Sequence, residues 1–152
     1  PMPESKLDLV RRAYGEMVKR DPLGDWSWFF EEFAHDDLEL RPGGTYLDAA
    51  PSYRGHEGWA QFWRDFSSVW EEWHWEPGSF EFLESEGHVL VFARAVGVGR
   101  ESGAEVAQEE AHLWTIVDGK VQLGVSYLNR AEALAAAGLS DPVGGVSSSS
   151  PD

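Results

Sequence analysis

The residues best suited to chemistry lie on one segment, 105–117, where a glutamate and a histidine stand two positions apart. Side chains at alternate positions of a strand point to the same face, so Glu110 and His112 share a face with Trp114. This is the bulkier face of the segment and is therefore the predicted core face. A purely structural core would disfavour a carboxylate and an imidazole. We therefore expect these polar groups to form part of a site.

The register of this segment against its neighbours follows from two predicted turns. Asp-Gly at 118–119 between alternating segments predicts a type I′ hairpin. This places Glu110 opposite Tyr127. The stretch GRESGA predicts a turn after the preceding strand, HVLVFARAVGVG, which places Arg94 opposite Glu110 and Phe92 opposite His112. The sequence thus predicts a polar row in an apolar pocket.

Each polar candidate has a structural alternative. An unperturbed histidine pKa of about 6.5 suits His112 to general acid/base work, but a core histidine bonded to a neighbour would show the same pattern. Arg94 and Glu110 are expected to form a buried ion pair, since a buried charge needs a partner. Such a pair at a cavity wall can also orient a substrate carboxylate or carbonyl. Tyr14 and Tyr127 are each either core residues or hydrogen-bond donors in the site.

The elements that would position these residues are predicted as follows. Apolar side chains at helical spacing predict helices over 5–19, 26–34 and 56–73, with a short strand at 38–41 between the last two. Strands over 79–84, 88–99, 105–117 and 120–128 follow as a meander, and a short helix covers 129–139. This order predicts an α+β fold with three N-terminal helices over the concave face of a curved, mainly antiparallel sheet. Such a cone-shaped fold encloses a concave site for a small molecule.

Composition excludes several classes of function. The 152 residues carry a formal charge of −15 with only three lysines, which argues against nucleic acid and anionic membranes as partners. No cysteine is present, so thiolate nucleophiles and cysteine-ligated metals are excluded. Eight tryptophans and eight phenylalanines need burial in a core, a ligand cavity or a subunit interface.

The chain is expected to be a single domain over 1–140 followed by a disordered polar tail over 141–152. No signal pattern and no apolar run of 18 residues is present, so a cytoplasmic location is predicted. His35 and Asp37 would supply only two ligands, and no metal site is predicted. No glycine-rich phosphate loop precedes a helix, so no cofactor is predicted either.

Several segments together carry a family resemblance: FAHDDLELRP, YRGHEGWAQFWRDF, AHLWTIVDGKV and YLNRAEALAAAGL. With the order of elements, they resemble the nuclear transport factor 2-like superfamily over about 6–139, and within it the SnoaL-like group that contains polyketide cyclases. The resemblance implies a cofactor-free pocket for a small hydrophobic carbonyl or polyketide-like compound, isomerised, dehydrated or cyclised there. For this cone-shaped domain, a homodimer formed through the outer face of the sheet is expected. The alternative is a non-catalytic ligand-binding or assembly domain of the same fold.

The resemblance transfers unevenly to single residues. Tyr14 matches the oxyanion-donating tyrosine on the first helix of ketosteroid isomerases, whereas Arg41 stands where those enzymes keep their aspartate base. Their second oxyanion donor falls on His112 or on Ala111, depending on hairpin length. In the enzymatic reading, His112 is the acid/base, Tyr14 and Tyr127 donate to an oxyanion, and Arg94 with Glu110 orients the substrate. The expected substrate-binding residues are Tyr127, Phe92, Trp114, Arg41 and Trp28.

Overall fold

A computed structural model describes residues 4–44 and 49–140. Its four α-helices are α1 (Lys6–Met17), α2 (Ser27–Glu32), α3 (Gly55–Val69) and α4 (Arg130–Ala137). Helix α1 begins where the sequence predicts, because the Ser5 hydroxyl accepts a hydrogen bond of 3.1 Å from the Asp8 amide. Helix α4 ends at Gly138, whose φ of 73° provides the left-handed conformation that closes the last turn.

Seven strands within the described residues form one sheet. They are β1 (Ala34–Arg41), β2 (Tyr53–Arg54), β3 (Trp70–Trp75), β4 (Glu81–Ser85), β5 (His88–Gly99), β6 (Glu105–Val117) and β7 (Lys120–Tyr127). The order is β2-β1-β7-β6-β5-β3, and β4 pairs with the first half of β5. All neighbours are antiparallel except β1 and β7, which run parallel. The predicted α+β class and the predicted meander of four strands, here β4 to β7, are confirmed.

The two faces of the curled sheet hold separate apolar clusters. The larger cluster fills the concave face, where α1, α2 and α3 pack against Val89, Val91 and Trp114. The smaller cluster lies on the convex face, where α4 covers Leu90 and Phe92 together with neighbouring residues of β6. The cone-shaped fold with three helices over the concave face is therefore the observed fold, and α4 adds a cover on the outside.

The predicted third helix is too long at its end. It stops at Val69, and the next six residues, WEEWHW, form β3 against the second half of β5. The apolar spacing of Trp70 and Trp73 fits a helix, but alternation over Glu71 to Trp75 fits a strand equally well. Hydrogen bonding to β5 makes this segment a strand, and Trp73 and Trp75 then face the pocket on the concave side of the sheet.

The predicted pairings of β5 with β6 and of β6 with β7 are both wrong by one residue near Glu110. In the β5–β6 connection Gly103, with φ of 68°, allows the chain to resume pairing at Ala104, whose carbonyl accepts from the Gly99 amide. The loop is one residue shorter than predicted, so Arg94 lies opposite Glu109 and Phe92 opposite Ala111. A slip of one residue exchanges the faces of a strand.

The β6–β7 hairpin begins in the predicted register, with Val117 opposite Lys120. A bulge then gives β7 one residue more than β6 between the pairs Ile116–Val121 and Thr115–Leu123. Beyond it Tyr127 lies opposite Ala111, not opposite Glu110 as predicted.

Within 4–44 and 49–140, no helix is long and apolar enough to cross a membrane. The predicted tail over 141–152 lies outside the described residues.

Candidate functional site

A narrow pocket lies between the concave face of the sheet and helices α1 and α3. Its cavity volume is about 40 Å³, and the surrounding empty space, including the part open to solvent, is about 480 Å³. Aromatic side chains from α3 and β3 form most of its wall, and β6 supplies its polar groups. The lining residues are Tyr14, Met17, Leu40, Trp59, Phe62, Trp63, Phe66, Trp73, Trp75, Glu110, His112, Trp114 and Ser126.

A chain of hydrogen bonds runs through the polar side of this pocket. The Trp114 indole Nε1–H donates to the Tyr14 hydroxyl oxygen over 2.8 Å, and that hydroxyl lies 2.7 Å from Nδ1 of His112. Nε2 of His112 lies 3.1 Å from Oε1 of Glu110. An indole only donates, so the Tyr14 proton is free to point at Nδ1, and the proton of the neutral imidazole then resides on Nε2 and faces the carboxylate. All donors therefore point toward Glu110.

The Glu110 carboxylate is buried beside His112 and is surrounded by side-chain donors. Glu110 is only 5% exposed, and His112 only 7%. Gln108 Nε2 donates to Oε2 over 2.7 Å, and Trp75 Nε1 lies 3.5 Å from Oε1. No lysine or arginine within 4–44 or 49–140 forms an ion pair with this carboxylate. The side chains of His112, Gln108 and Trp75 thus provide the hydrogen-bond donors that a buried carboxyl group requires.

Tyr14 is kept protonated by its surroundings. Burial, and to a lesser degree the nearby Glu110 charge, raises the pKa of the Tyr14 hydroxyl far above its usual value, although the Trp114 bond opposes this. The ring stacks on Trp75 at a centroid distance of 5.4 Å and is almost fully buried. Tyr14 can therefore serve as a hydrogen-bond donor at neutral pH, and not as a phenolate.

The local sequence explains how these side chains meet. Val10, Tyr14 and Met17 follow each other at spacings of four and three, which places them on one face of α1 toward the sheet. Gln108, Glu110, His112 and Trp114 alternate along β6 and share its concave face. Gly124 lies opposite Trp114, and a Cβ atom there would lie 2.4 Å from the indole. The missing side chain makes room for that ring.

The structure brings together four of the nine residues predicted for the site: Tyr14, Glu110, His112 and Trp114. Three others lie on the convex side because of the register slips. Arg94 is exposed and contacts Glu109 at 3.0 Å and Glu76 at 3.1 Å, so the predicted Arg94–Glu110 pair does not exist. Phe92 and Tyr127 pack in the convex cluster below α4.

The remaining two predicted residues lie outside the pocket. Arg41 is exposed at the end of β1 and pairs with Glu39 at 2.8 Å. Trp28 stacks on Trp26 and lies under the Arg20 guanidinium at 4.4 Å from the ring centroid. Neither side chain lines the pocket.

Several pocket residues escaped the sequence prediction. Trp59, Trp63 and Trp73 appeared as part of an apolar helix stripe and were assigned to the core. Trp75 and Ser126 carried no signal by themselves. The strand-like alternation of WEEWHW could have indicated that Trp73 and Trp75 face one side together.

No metal-binding group is formed in the described part of the chain. Within 4–44 and 49–140 no three histidine, cysteine or carboxylate side chains come close enough to hold an ion. The histidine at 35 places Nε2 at 2.6 Å from the Val117 carbonyl, and Asp37 accepts from Gln122 over 2.9 Å.

Several solved structures have a fold similar to that of this chain. An NTF2-like protein from Burkholderia thailandensis E264 superimposes with a TM-score of 0.68 at 17% identity, covering 88% of this chain and 97% of that one. TerC, crystallised with polyporic acid, gives a TM-score of 0.63 at 22% identity and coverage of 82% and 91%. A candidate SnoaL-like polyketide cyclase from Mesorhizobium loti gives 0.56 at 15% identity, covering 82% and 99%. At these identities the likeness concerns the fold alone.

Comparison of the sequence identifies the family, whereas the superpositions identify only the fold. Curated proteins give no match to this chain. The model of the SnoaL-like domain matches residues 10–123, which span three quarters of the sequence and include every residue of the hydrogen-bonded chain. The chain therefore belongs to the SnoaL-like domain family.

Proposed function

We propose that the pocket binds a small hydrophobic carbonyl compound and that the Glu110–His112 pair exchanges a proton with it. The protein would then be a cofactor-independent isomerase, dehydratase or cyclase. The observation that carries this proposal is the directed hydrogen-bond chain from Trp114 through Tyr14 and His112 to Glu110, at one side of an aromatic pocket. Relatives of the same fold crystallised with polyporic acid or described as polyketide cyclase candidates support the substrate class.

The geometry favours Glu110 as the group that takes the proton. Both ring nitrogens of His112 are engaged, whereas the carboxylate, with three donors, keeps one unused lone pair on Oε2. Glu110 would remove a proton from the carbon next to the carbonyl. The C–H electron pair would form the C=C bond of an enolate, and the carbonyl oxygen would carry the negative charge. Return of the proton from Glu110 to another carbon completes an isomerisation. In a dehydration, the enolate electrons form a new C=C bond, and the β-hydroxyl group takes the proton from Glu110 and leaves as water.

His112 and Tyr14 support this step in different ways. The Nε2–H of His112 holds Oε1 of the carboxylate in place, and the Tyr14 hydroxyl fixes the imidazole tautomer that makes this bond possible. This assignment moves the base from His112, where the sequence places it, to Glu110.

The test uses a probe that needs no knowledge of the natural substrate. Exchange of the α-protons of 1-indanone for deuterium in D₂O, followed by NMR, reports enolate formation directly. Because His112 positions the carboxylate and is not the base, His112→Ala should lower the protein-catalysed exchange by roughly 10- to 100-fold while leaving indanone affinity within a factor of about three. Tyr14→Phe, which keeps the ring, should lower exchange less, by about 10-fold.

A binding module is the competing function, since one fold serves many functions. Engagement of both His112 nitrogens within the protein favours it, because a purely structural network would look alike. Indanone binding without any exchange above the solvent rate would favour this alternative over catalysis.

We also propose a homodimer formed through the outer face of the sheet. Sedimentation of the full chain tests this separately, since a mass of twice 17.0 kDa would support it and a single 17.0 kDa species would not.

A further inference from the structure

Gln108 contacts the Glu110 carboxylate at a different oxygen from the other two donors. Its side-chain amide Nε2–H donates to Oε2 over 2.7 Å. His112 and Trp75 both contact Oε1, at 3.1 Å and 3.5 Å. A carboxylate oxygen has two lone pairs, so the two contacts occupy Oε1 completely. Gln108 therefore bonds to the oxygen whose remaining lone pair is free to take a proton.

The register of the sheet explains why these side chains meet. Gln108 on β6 and Trp75 on β3 both lie opposite Ala95 of the strand between them. Glu110 follows two positions after Gln108, shares its face and lies opposite Ala93. Both alanines are almost fully buried, and their small side chains leave room over β5 for the carboxylate and its donors.

Gln108 lies at the edge of the site. It is only partly buried, and residues 105–107, which precede it on β6, are exposed. The wall of the pocket, as the described residues form it, does not include Gln108. Its amide therefore contacts the carboxylate without occupying space that a ligand would use.

Burial creates a difficulty for a carboxylate that acts as a base. Removal from water disfavours the charged form, and only the charged form can take up a proton. A hydrogen bond donated to the carboxylate favours the charged form. Among the described residues, the titratable groups that face Glu110 are His112 on β6 and Tyr14 on α1. Glu109 and Arg94 lie on the other face of the sheet.

We propose that Gln108 is a positioning residue for the proton transfer, which keeps the Glu110 carboxylate charged and directs the free lone pair of Oε2. This inference rests on the proposed function, because it concerns the base of that reaction. The neutral amide neither supplies nor takes a proton. Its hydrogen bond is strong while the carboxylate is charged and weakens when Oε2 takes the proton. Gln108 thus sets the pH range in which Glu110 acts, and not the affinity for the ligand.

The first experiment measures 1-indanone exchange against pH in Gln108→Leu, which removes the amide and keeps a side chain of similar size. Without the donor the charged carboxylate is less favoured, so the pH of half-maximal exchange should rise by about 0.5–1 unit. Exchange below that pH should fall about 3- to 10-fold, and well above it should return to within about 3-fold of the native rate. Indanone affinity should stay within about 3-fold of the native value. A loss of the same factor at every pH would indicate a purely structural role and overturn the proposal.

Gln122→Leu is the matched control. Gln122 also donates from Nε2 to a carboxylate, Oδ1 of Asp37, over 2.9 Å, and neither residue lines the pocket. Its exchange profile should coincide with that of the native protein. Gln108→Lys restores a donor and adds a positive charge, so its half-maximal pH should lie at or below the native one. A half-maximal pH as high in Gln108→Lys as in Gln108→Leu would refute the role of the donor.

A measurement on the unmodified chain protects against variants that fold poorly. In ¹⁵N–¹H spectra, the side-chain amide signal of Gln108 should move over the pH range in which ¹³C spectra show the Glu110 carboxyl carbon to titrate. An amide signal that stays in place would contradict the proposal.

The same spectra separate this inference from the proposed reaction. Linked titration of the two side chains without indanone exchange would uphold the role of Gln108 in keeping the carboxylate charged and reject the proton transfer. Native exchange with a pH profile that Gln108→Leu leaves unchanged would do the reverse.

Discussion

At the scale of single residues, Tyr14 links helix α1 to the hydrogen-bonded side chains of β6. Its hydroxyl accepts from Trp114 and donates to His112, so its removal leaves one buried donor and one buried acceptor unpaired. Tyr14→Phe should lower the free energy of unfolding by about 1–3 kcal/mol in urea titrations. Glu109→Gln, on the exposed face of β6, should change it by less than about 0.5 kcal/mol and serves as the control. A Tyr14→Phe variant as stable as the control would mean that the network is not formed in solution.

Tyr14 should also affect stability at high pH. Its pKa is raised by burial, so the folded chain holds this proton at pH values where the unfolded chain releases it. Above the usual tyrosine pKa of about 10, the unfolded state binds fewer protons and stability falls as pH rises. The contribution is fully present below pH 10 and is lost above it. Between pH 10 and 11, stability should fall less steeply in Tyr14→Phe than in the native protein. Parallel slopes in the two proteins would show that the hydroxyl is accessible to solvent.

At the scale of elements, the contact between β6 and β7 depends on one glycine. A Cβ at Gly124 would meet the Trp114 ring at 2.4 Å, so Gly124→Ala must displace the indole that ends the hydrogen-bonded chain. Thermal melts should show a loss of about 1–3 kcal/mol. Gly15→Ala is the matched control, because it lies in α1 with no atom near the added methyl group. It should gain about 0.5–1 kcal/mol from better helix propensity. Unchanged stability in Gly124→Ala would place the Trp114 ring elsewhere.

The register of β5 makes a further prediction at this scale. Arg94 lies on the convex face in exposed ion pairs with Glu109 and Glu76, with side-chain exposures of 44%, 72% and 45%. Arg94→Ala should therefore cost less than about 1 kcal/mol in chemical denaturation. The buried Arg94–Glu110 pair expected from the sequence would instead lose 3 kcal/mol or more. The size of the loss thus distinguishes the two registers.

At the scale of the whole molecule, the sequence predicted the placement of a side chain correctly where that placement depends on the periodicity of a single helix or strand. The alternation through Glu110, His112 and Trp114 was enough to predict their shared face, and the order of helices and strands was enough to predict the fold class. The positions of Arg94, Phe92 and Tyr127 depended on loop length and on a bulge in β7, which leave no clear mark in the sequence. One residue of error in each case moved these side chains to the opposite face of the sheet.

The tryptophan wall could not be predicted for a different reason. Trp70 and Trp73 fit a continued helix and a new strand equally well, and only pairing with β5 decides between them. Long-range pairing of this kind overrides local periodicity, and it is what turns Trp73 and Trp75 toward the pocket. Functional groups built from core-like residues are for this reason hard to distinguish from the core itself.

The most direct measurement of the central claim compares two neighbouring glutamates on β6. Glu110 points into the pocket and Glu109 points to solvent, so Glu110→Gln and Glu109→Gln make the same chemical change on opposite faces. Deuterium exchange into 1-indanone, measured by NMR at equal protein and probe concentrations, reports the proton transfer in both. Glu110→Gln should lose about 100-fold or more of the protein-catalysed rate, whereas Glu109→Gln should stay within about 3-fold of the native protein. Equal rates in the two variants, or no exchange above the solvent rate in the native protein, would contradict a role for Glu110 as the base.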